Sequence, residues 1–201
     1  AQTGAAAIET TAFVNPKLVP QMSDASEIVR AVQSPPGTGL TLPVLIPNMR
    51  GYHNAVEAGV KSVAVMTAAS ETFSQNNIRM SVAQSCETAV AILKEAKANG
   101  VATRGYISCC LGCPFEGDVD YSVVASIAKR LYDAGCDEIV ISDTIGTGTP
   151  GSMATVLDLT LRHVPVSAIA VHCHDTYGQA LANIYCALLH GVSTIDSSVA
   201  G

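Results

Sequence analysis

The sequence predicts an α/β fold of the TIM (β/α)8-barrel class, and three observations carry that prediction. Short apolar runs alternate with amphipathic stretches, as parallel strands linked by helices do. Glycines close many of the links just before the next run. The runs also end in polar or charged residues, which is how barrel strands end at the mouth where their chemistry is built.

Seven runs read as strands: residues 6–13, 42–47, 62–67, 102–109, 138–142, 168–172 and 193–197. They lack a polar alternation of period two, the pattern of strands covered on both faces. Between them, 81–98 places Val82, Ala89, Ile92 and Leu93 at helical spacing. The stretch 120–133 does so with Val123, Val124, Ile127, Ala128 and Leu131, and 177–189 with Leu181, Ile184, Tyr185 and Leu188. Gly59, Gly100, Gly135 and Gly191 each follow a helical stretch, where the chain leaves a helix cap. Ser23, Asp120 and Ser152 stand where helix starts want a capping oxygen. An open doubly wound sheet needs a glycine-rich phosphate turn after its first strand, and residues 10–20 contain no glycine. The barrel is therefore favoured, and it is incomplete: the fold needs eight strands and typically about 250 residues. No linker or low-complexity tract divides the chain, so residues 1–201 read as a single partial barrel, a catalytic domain without strand 1 and its C-terminal part.

Composition excludes several function classes. The chain is 48% hydrophobic and 14% charged with net charge −6, so it has apolar surface to bury and no cationic surplus for phosphate backbones. With 4% aromatic residues and no Trp, base stacking is poorly supplied. No apolar run reaches the roughly 18–20 residues of a membrane span, and the start lacks the basic and apolar regions of a signal peptide. The seven cysteines are odd in number and without a repeating framework, which points to a reducing compartment.

The sharpest chemical feature is Val171-His172-Cys173-His174-Asp175. Side chains two apart on a strand share a face, so His172 and His174 converge while Cys173 points away. At the end of an apolar run the pair suits a divalent metal; the alternative is two histidines satisfied by backbone carbonyls. Imidazole fits zinc, iron and manganese, while added oxygen ligands favour manganese or magnesium. Glu9 and Asp143 are acids at strand ends, where desolvation is costly unless the group has a partner or a task. The simpler readings are a salt bridge in the mouth for Glu9 and a cap on the following turn for Asp143. Asn48 is a rim hydrogen-bonding residue or a turn residue, and Thr144 extends the same strand end as Asp143. Cys110-Leu111-Gly112-Cys113 lacks the second pair of a structural zinc site and reads as loop thiols. The turn 146–151 cradles a phosphate or simply needs unusual backbone angles. None of the five lysines sits at a strand's distal end, so a Schiff-base aldolase is excluded and carbanion chemistry here would rest on a metal.

Five segments, 8–17, 104–117, 142–151, 170–183 and 196–201, resemble the 3-hydroxy-3-methylglutaryl-coenzyme A lyases, metal-dependent TIM-barrel carbon–carbon lyases. The resemblance runs in order along the chain; His-x-His alone is shared with the isopropylmalate and homocitrate synthases, condensing acyltransferases that give the alternative reading. It implies cleavage of the acyl-CoA substrate to acetyl-CoA and acetoacetate with Mg2+ or Mn2+, as in leucine degradation and ketone-body formation. It implies metal ligation by His172 and His174 and catalysis by His172, Asp143 and Glu9; from their strand-end positions Asn48 and Thr144 are the expected substrate contacts. It also implies a homo-oligomer, a dimer, in the intact enzyme, cytoplasmic if bacterial and otherwise in the mitochondrial matrix. The family's Asp-Arg-Glu motif and its Gly-Gly-Cys-Pro loop have no counterpart, and Ala12 stands where serine is more usual. The chain thus looks like an internal piece, which by itself is expected to be inactive.

Overall fold

The computed structural model describes residues 4–32, 37 and 39–198; the ends of the chain, including the last three residues of the 196–201 motif, lie outside them. The elements are β1 (Thr11–Ala12), α1 (Ala25–Ala31), β2 (Val44–Leu45), α2 (Met49–Glu57), β3 (Ser62–Ala68), α3 (Glu71–Ile78), α4 (Val82–Ala98), β4 (Ala102–Ser108), α5 (Tyr121–Asp133), β5 (Glu138–Asp143), α6 (Pro150–Thr160), β6 (Ile169–Cys173), α7 (Ala180–Leu189) and β7 (Thr194–Ile195). Each of the seven apolar runs holds one strand. All seven form one parallel sheet in sequential order, β1 to β7.

The first run is a shorter strand than its length suggests, and Pro43 supplies the reason. The ladder between the first two runs continues outside β1 and β2 through Thr41 N to Ala6 O, Ile8 N to Thr41 O and Thr10 N to Pro43 O. Pro43 accepts in that ladder but has no N–H to donate, so the regular pairing breaks there.

Alternation along the strands sorts the side chains into two layers. Val63, Val65, Ile107, Ile139 and Ile141 are buried toward the helices. Gly105 belongs to the same outward set: a Cβ there would stand 3.1 Å from Leu131 of α5. Arg104 and Tyr106 occupy the other face of β4, in register with Glu138 and Val140, and Ser142 is in register with His172. The sheet must curl to satisfy these inner residues. From β4, Tyr106 reaches Glu9 beside β1, and Arg104 reaches Asp196 beyond β7, so one central strand touches groups at both edges of the sheet. That closure is the wall of a (β/α) barrel.

The helix signals hold with three adjustments. Gly59, Gly100, Gly135 and Gly191 all follow helices and have positive φ. Asp120 caps α5 as expected, and Ser81 closes a capping box with Gln84 on α4. Ser23, by contrast, precedes Asp24, which is the N-cap of α1. Ser152 is the third residue of α6, whose cap is Thr149, and it completes that capping box. On α7 the long apolar side chains Leu181, Tyr185 and Leu188 face outward, while Ala180, Asn183, Cys186 and Ala187 are buried. Small residues fill the inner face because α7 lies close enough for Asn183 Nδ2 to donate to Gly148 O at 3.0 Å.

Candidate active site

His172 ends the inner face of β6, and His174 follows the strand by one residue. Their Nε2 atoms stand 3.3 Å apart and their ring centroids 5.1 Å apart. Such a contact either shares one proton or presents two lone pairs to one cation. Two nitrogens ~2.0–2.1 Å from a common ion lie roughly 2.8–3.4 Å apart between octahedral and tetrahedral angles, so the spacing of the pair suits one shared cation. Among the described residues no group of three or more His, Cys, Asp and Glu side chains is placed to hold an ion, so the two imidazoles would supply only part of a ligand set. Cys173 lies between them in register with Asp143, on the opposite face, and burial pushes its thiol up to about 12.

Behind His172 lies a network that spans the barrel. His172 Nδ1 meets Asp196 Oδ2 at 3.1 Å, and Asp196 Oδ1 accepts from Arg104 Nη2 at 2.8 Å. Arg104 Nε donates to Glu138, and its Nη1 donates to the Tyr106 hydroxyl at 2.9 Å. The Tyr106 hydroxyl donates to Glu9 Oε2 at 3.2 Å, and the Tyr106 ring meets His172 edge-on with centroids 6.1 Å apart. Burial opposes the charge of Asp196, but the hydrogen bonds from His172 and Arg104 and their charges hold its carboxyl below the ordinary range. Burial first, then the charges of Glu9 and Asp196, push the Tyr106 phenol upward, so it remains a donor.

Glu9 is held above its ordinary pKa chiefly by desolvation among these inner groups, although the residue as a whole is exposed; the Tyr106 hydrogen bond and Arg104 work in the other direction. Replacing Tyr106 by Phe removes a donor that favours the charged carboxylate, so the Glu9 pKa is expected to rise further. A carbon-13 titration of the Glu9 carboxyl measures this, and an unchanged or lower value would contradict the assignment.

The structure thus brings Glu9, His172 and His174 into one neighbourhood, and gives the other expected site residues different partners. Asp143 is fully buried on the helix-facing side of β5. Its Oδ2 accepts from Gly148 N at 3.0 Å and lies 3.4 Å from Asn183 Nδ2, so its side chain organises the following turn, and only its carbonyl, accepting from His174 N, touches the histidine segment. Burial raises its pKa, opposed by the N–H groups of Gly148, Gly146 and Thr147. The glycine-rich turn therefore wraps a carboxylate of its own chain. Asn48 is the N-cap of α2, accepting from Gly51 N at 3.0 Å. Thr144 Oγ1 accepts from Cys109 N at 2.8 Å, pinning a residue with φ of 59° at the exit of β4. The Cys110–Cys113 segment is a loop of free, buried thiols, and Cys113 Sγ lies 3.0 Å from Ser70 Oγ. Sequence reasoning missed Arg104, Tyr106, Glu138 and Asp196. The available signal was Arg104 and Tyr106, two polar side chains two apart within one run.

Fold and site together define a (β/α)-barrel protein with a His-x-His pair at the strand ends and an ionic network beneath it. Compared with known families, the model described as HMGL-like matches residues 1–201, and the chain belongs to that family. It is 52% identical over 200 residues to the mitochondrial hydroxymethylglutaryl-CoA lyase of Bos taurus, covering all of this chain and 61% of that protein. It is 48% identical to a cytoplasmic 3-hydroxy-3-methylglutaryl-CoA lyase of Homo sapiens, covering 54% of it. The crystal structure of hydroxymethylglutaryl-CoA lyase from Pseudomonas aeruginosa superimposes with a TM-score of 0.91 at 49% identity, over 96% of this chain and 64% of that one. The chain thus spans about three fifths of the length of the first of these curated relatives.

Proposed function

We propose that the full-length protein is a carbon–carbon lyase that cleaves 3-hydroxy-3-methylglutaryl-CoA to acetyl-CoA and acetoacetate. The observation that carries this reading is the 52% identity to a named lyase over 200 residues, the whole of this chain. In this reading residues 1–201 belong to one catalytic barrel domain, and His172 and His174 hold a divalent cation, Mg2+ or Mn2+. That cation supplies Lewis-acid polarisation of the substrate's hydroxyl and carboxylate oxygens.

The chain's own residues then account for the proton traffic. Loss of the proton on the C3 hydroxyl lets the C2–C3 bond break, its electron pair passing into the thioester enolate. A proton delivered to that enolate releases acetyl-CoA, and the C3 fragment leaves as acetoacetate. Glu9 is suited to accept and return protons because desolvation holds its pKa nearer neutrality than an ordinary carboxylate's. Asp143, Asn48 and Thr144 act by building the loops around the mouth, with Asp143 fixing the turn against which the His174 segment rests. No helix among the described residues is long and apolar enough to cross a membrane. The relatives include mitochondrial and cytoplasmic forms, and the assembly expected is a homodimer.

The test is release of acetoacetate from 3-hydroxy-3-methylglutaryl-CoA by the full-length protein with Mn2+. No release would overturn the lyase reading. Free CoA liberated instead from acetyl-CoA and a 2-oxo acid would establish a condensing acyltransferase in its place.

A further inference from the structure

We propose that Asp196 is the positioning residue that fixes the tautomer and aim of His172, and that Arg104 locks Asp196 into that task. This deepens the metal-binding reading above and rests on it.

The placement begins with the backbone. Asp196 N donates to Val171 O at 2.9 Å, continuing the β6–β7 ladder and setting the Asp196 side chain level with His172. Its two oxygens are divided between two partners, Oδ2 to His172 Nδ1 and Oδ1 to Arg104 Nη2. An ionised carboxylate only accepts, so Nδ1 carries the imidazole proton and Nε2 keeps its lone pair. That lone pair is the one directed toward His174 Nε2, 3.3 Å away.

Asp196 is itself held from behind. Arg104 spends Nε on Glu138, Nη1 on Tyr106 and Nη2 on Asp196, so its rigid planar fork is pinned at three corners. The Tyr106 ring, at 90° to the imidazole with centroids 6.1 Å apart, packs against His172 as a further neighbour. With both oxygens engaged, Asp196 acts on a bound cation through His172, and it is a positioning residue on that account. Outer partners of this kind typically contribute 10–100-fold to metal affinity or activity.

Asp196→Asn in the full-length protein is the discriminating variant. Arg104 is always charged and takes the amide oxygen, leaving the amide NH2 to face His172. Nδ1 must then become an acceptor, and the proton moves to Nε2, where it blocks the metal lone pair. Mn2+ affinity, measured by electron paramagnetic resonance titration, is expected to fall about 10–100-fold. Nitrogen-15 spectra of the metal-free protein are expected to show His172 changing from the Nδ1–H to the Nε2–H tautomer, a readout that a merely structural role would leave unmoved. Arg104→Lys, which keeps the charge and loses the fork, is expected to lower Mn2+ affinity in the same direction, and it decides the matter if the Asn variant fails to fold. Wild-type affinity with an unchanged tautomer in a folded Asp196→Asn, or wild-type affinity in Arg104→Lys where the Asn variant fails to fold, would overturn the proposal. A wild-type protein that binds no Mn2+ would overturn the metal reading instead, while the metal-free tautomer still tests Asp196 by itself.

Discussion

Replacing His174 by alanine is expected to lower the Mn2+ affinity of the full-length protein by more than about two orders of magnitude, with turnover falling in step. Loss of an outer hydrogen-bonding partner typically costs 10–100-fold, and removing a direct ligand from a pair should cost more. The imidazole of His174 is exposed, and its hydrogen-bond and ring contacts are with His172 alone among the described residues. Its removal should therefore leave stability within roughly 0.5 kcal/mol, as for other surface substitutions away from caps and networks. The two readouts separate cleanly: melting temperature unmoved, metal affinity lost. Cys173→Ala is the matching control, because that side chain lies on the opposite face of the strand and should leave Mn2+ affinity intact. Equal affinity in wild type and His174→Ala would remove the paired-histidine site from consideration.

How much of this was legible in the sequence depends on which physical relation each feature needs. A strand in a parallel sheet needs only a short apolar run between helices, so all seven were readable from local composition. Helix exits were readable for the same reason, since Gly59, Gly100, Gly135 and Gly191 answer a purely local backbone demand. The pairing of His172 with His174 follows from the period of a single strand. The network beneath them does not, because Arg104 and Asp196 are 92 residues apart in sequence and meet only when the sheet curls. The face on which Asp143 lies was hidden as well. It ends its strand as His172 nearly ends the next, but the register pairs Asp143 with Cys173 and Ser142 with His172. A shift of one residue in that register would have turned its carboxylate toward the mouth, and spacing within one strand cannot determine the register between two. On α7 the periodic stripe of Leu181, Tyr185 and Leu188 marked a helix correctly and its buried face wrongly. Close approach to the turn before α6 favours the small buried residues Ala180, Cys186 and Ala187, and Asn183 is drawn inward by the carbonyl of Gly148.

Gly146→Ala is expected to be the most damaging small substitution around the site, because it combines two penalties at a point that cannot yield. Gly146 has φ of +69°, where an L-residue costs roughly 1–2 kcal/mol. The added Cβ would stand 2.8 Å from Thr176 N and 2.9 Å from His174 O, both backbone atoms of the segment leaving β6. Overpacking of that kind typically adds about 1–3 kcal/mol. The combined penalty of roughly 2–5 kcal/mol is a large part of a net stability of about 5–15 kcal/mol. In a protein of this size it lowers the melting temperature by on the order of 10 °C. The two loops must also part to admit the methyl group, which carries His174 away from His172, so Mn2+ affinity should fall along with stability. Gly178→Ala isolates the backbone contribution: Gly178 has a nearly identical φ of +71°, but nothing lies within 4 Å of its added Cβ. It should show only the conformational cost and keep wild-type Mn2+ affinity. Equal melting shifts for the two variants, with metal binding retained in both, would show that the turn around Asp143 does not support His174.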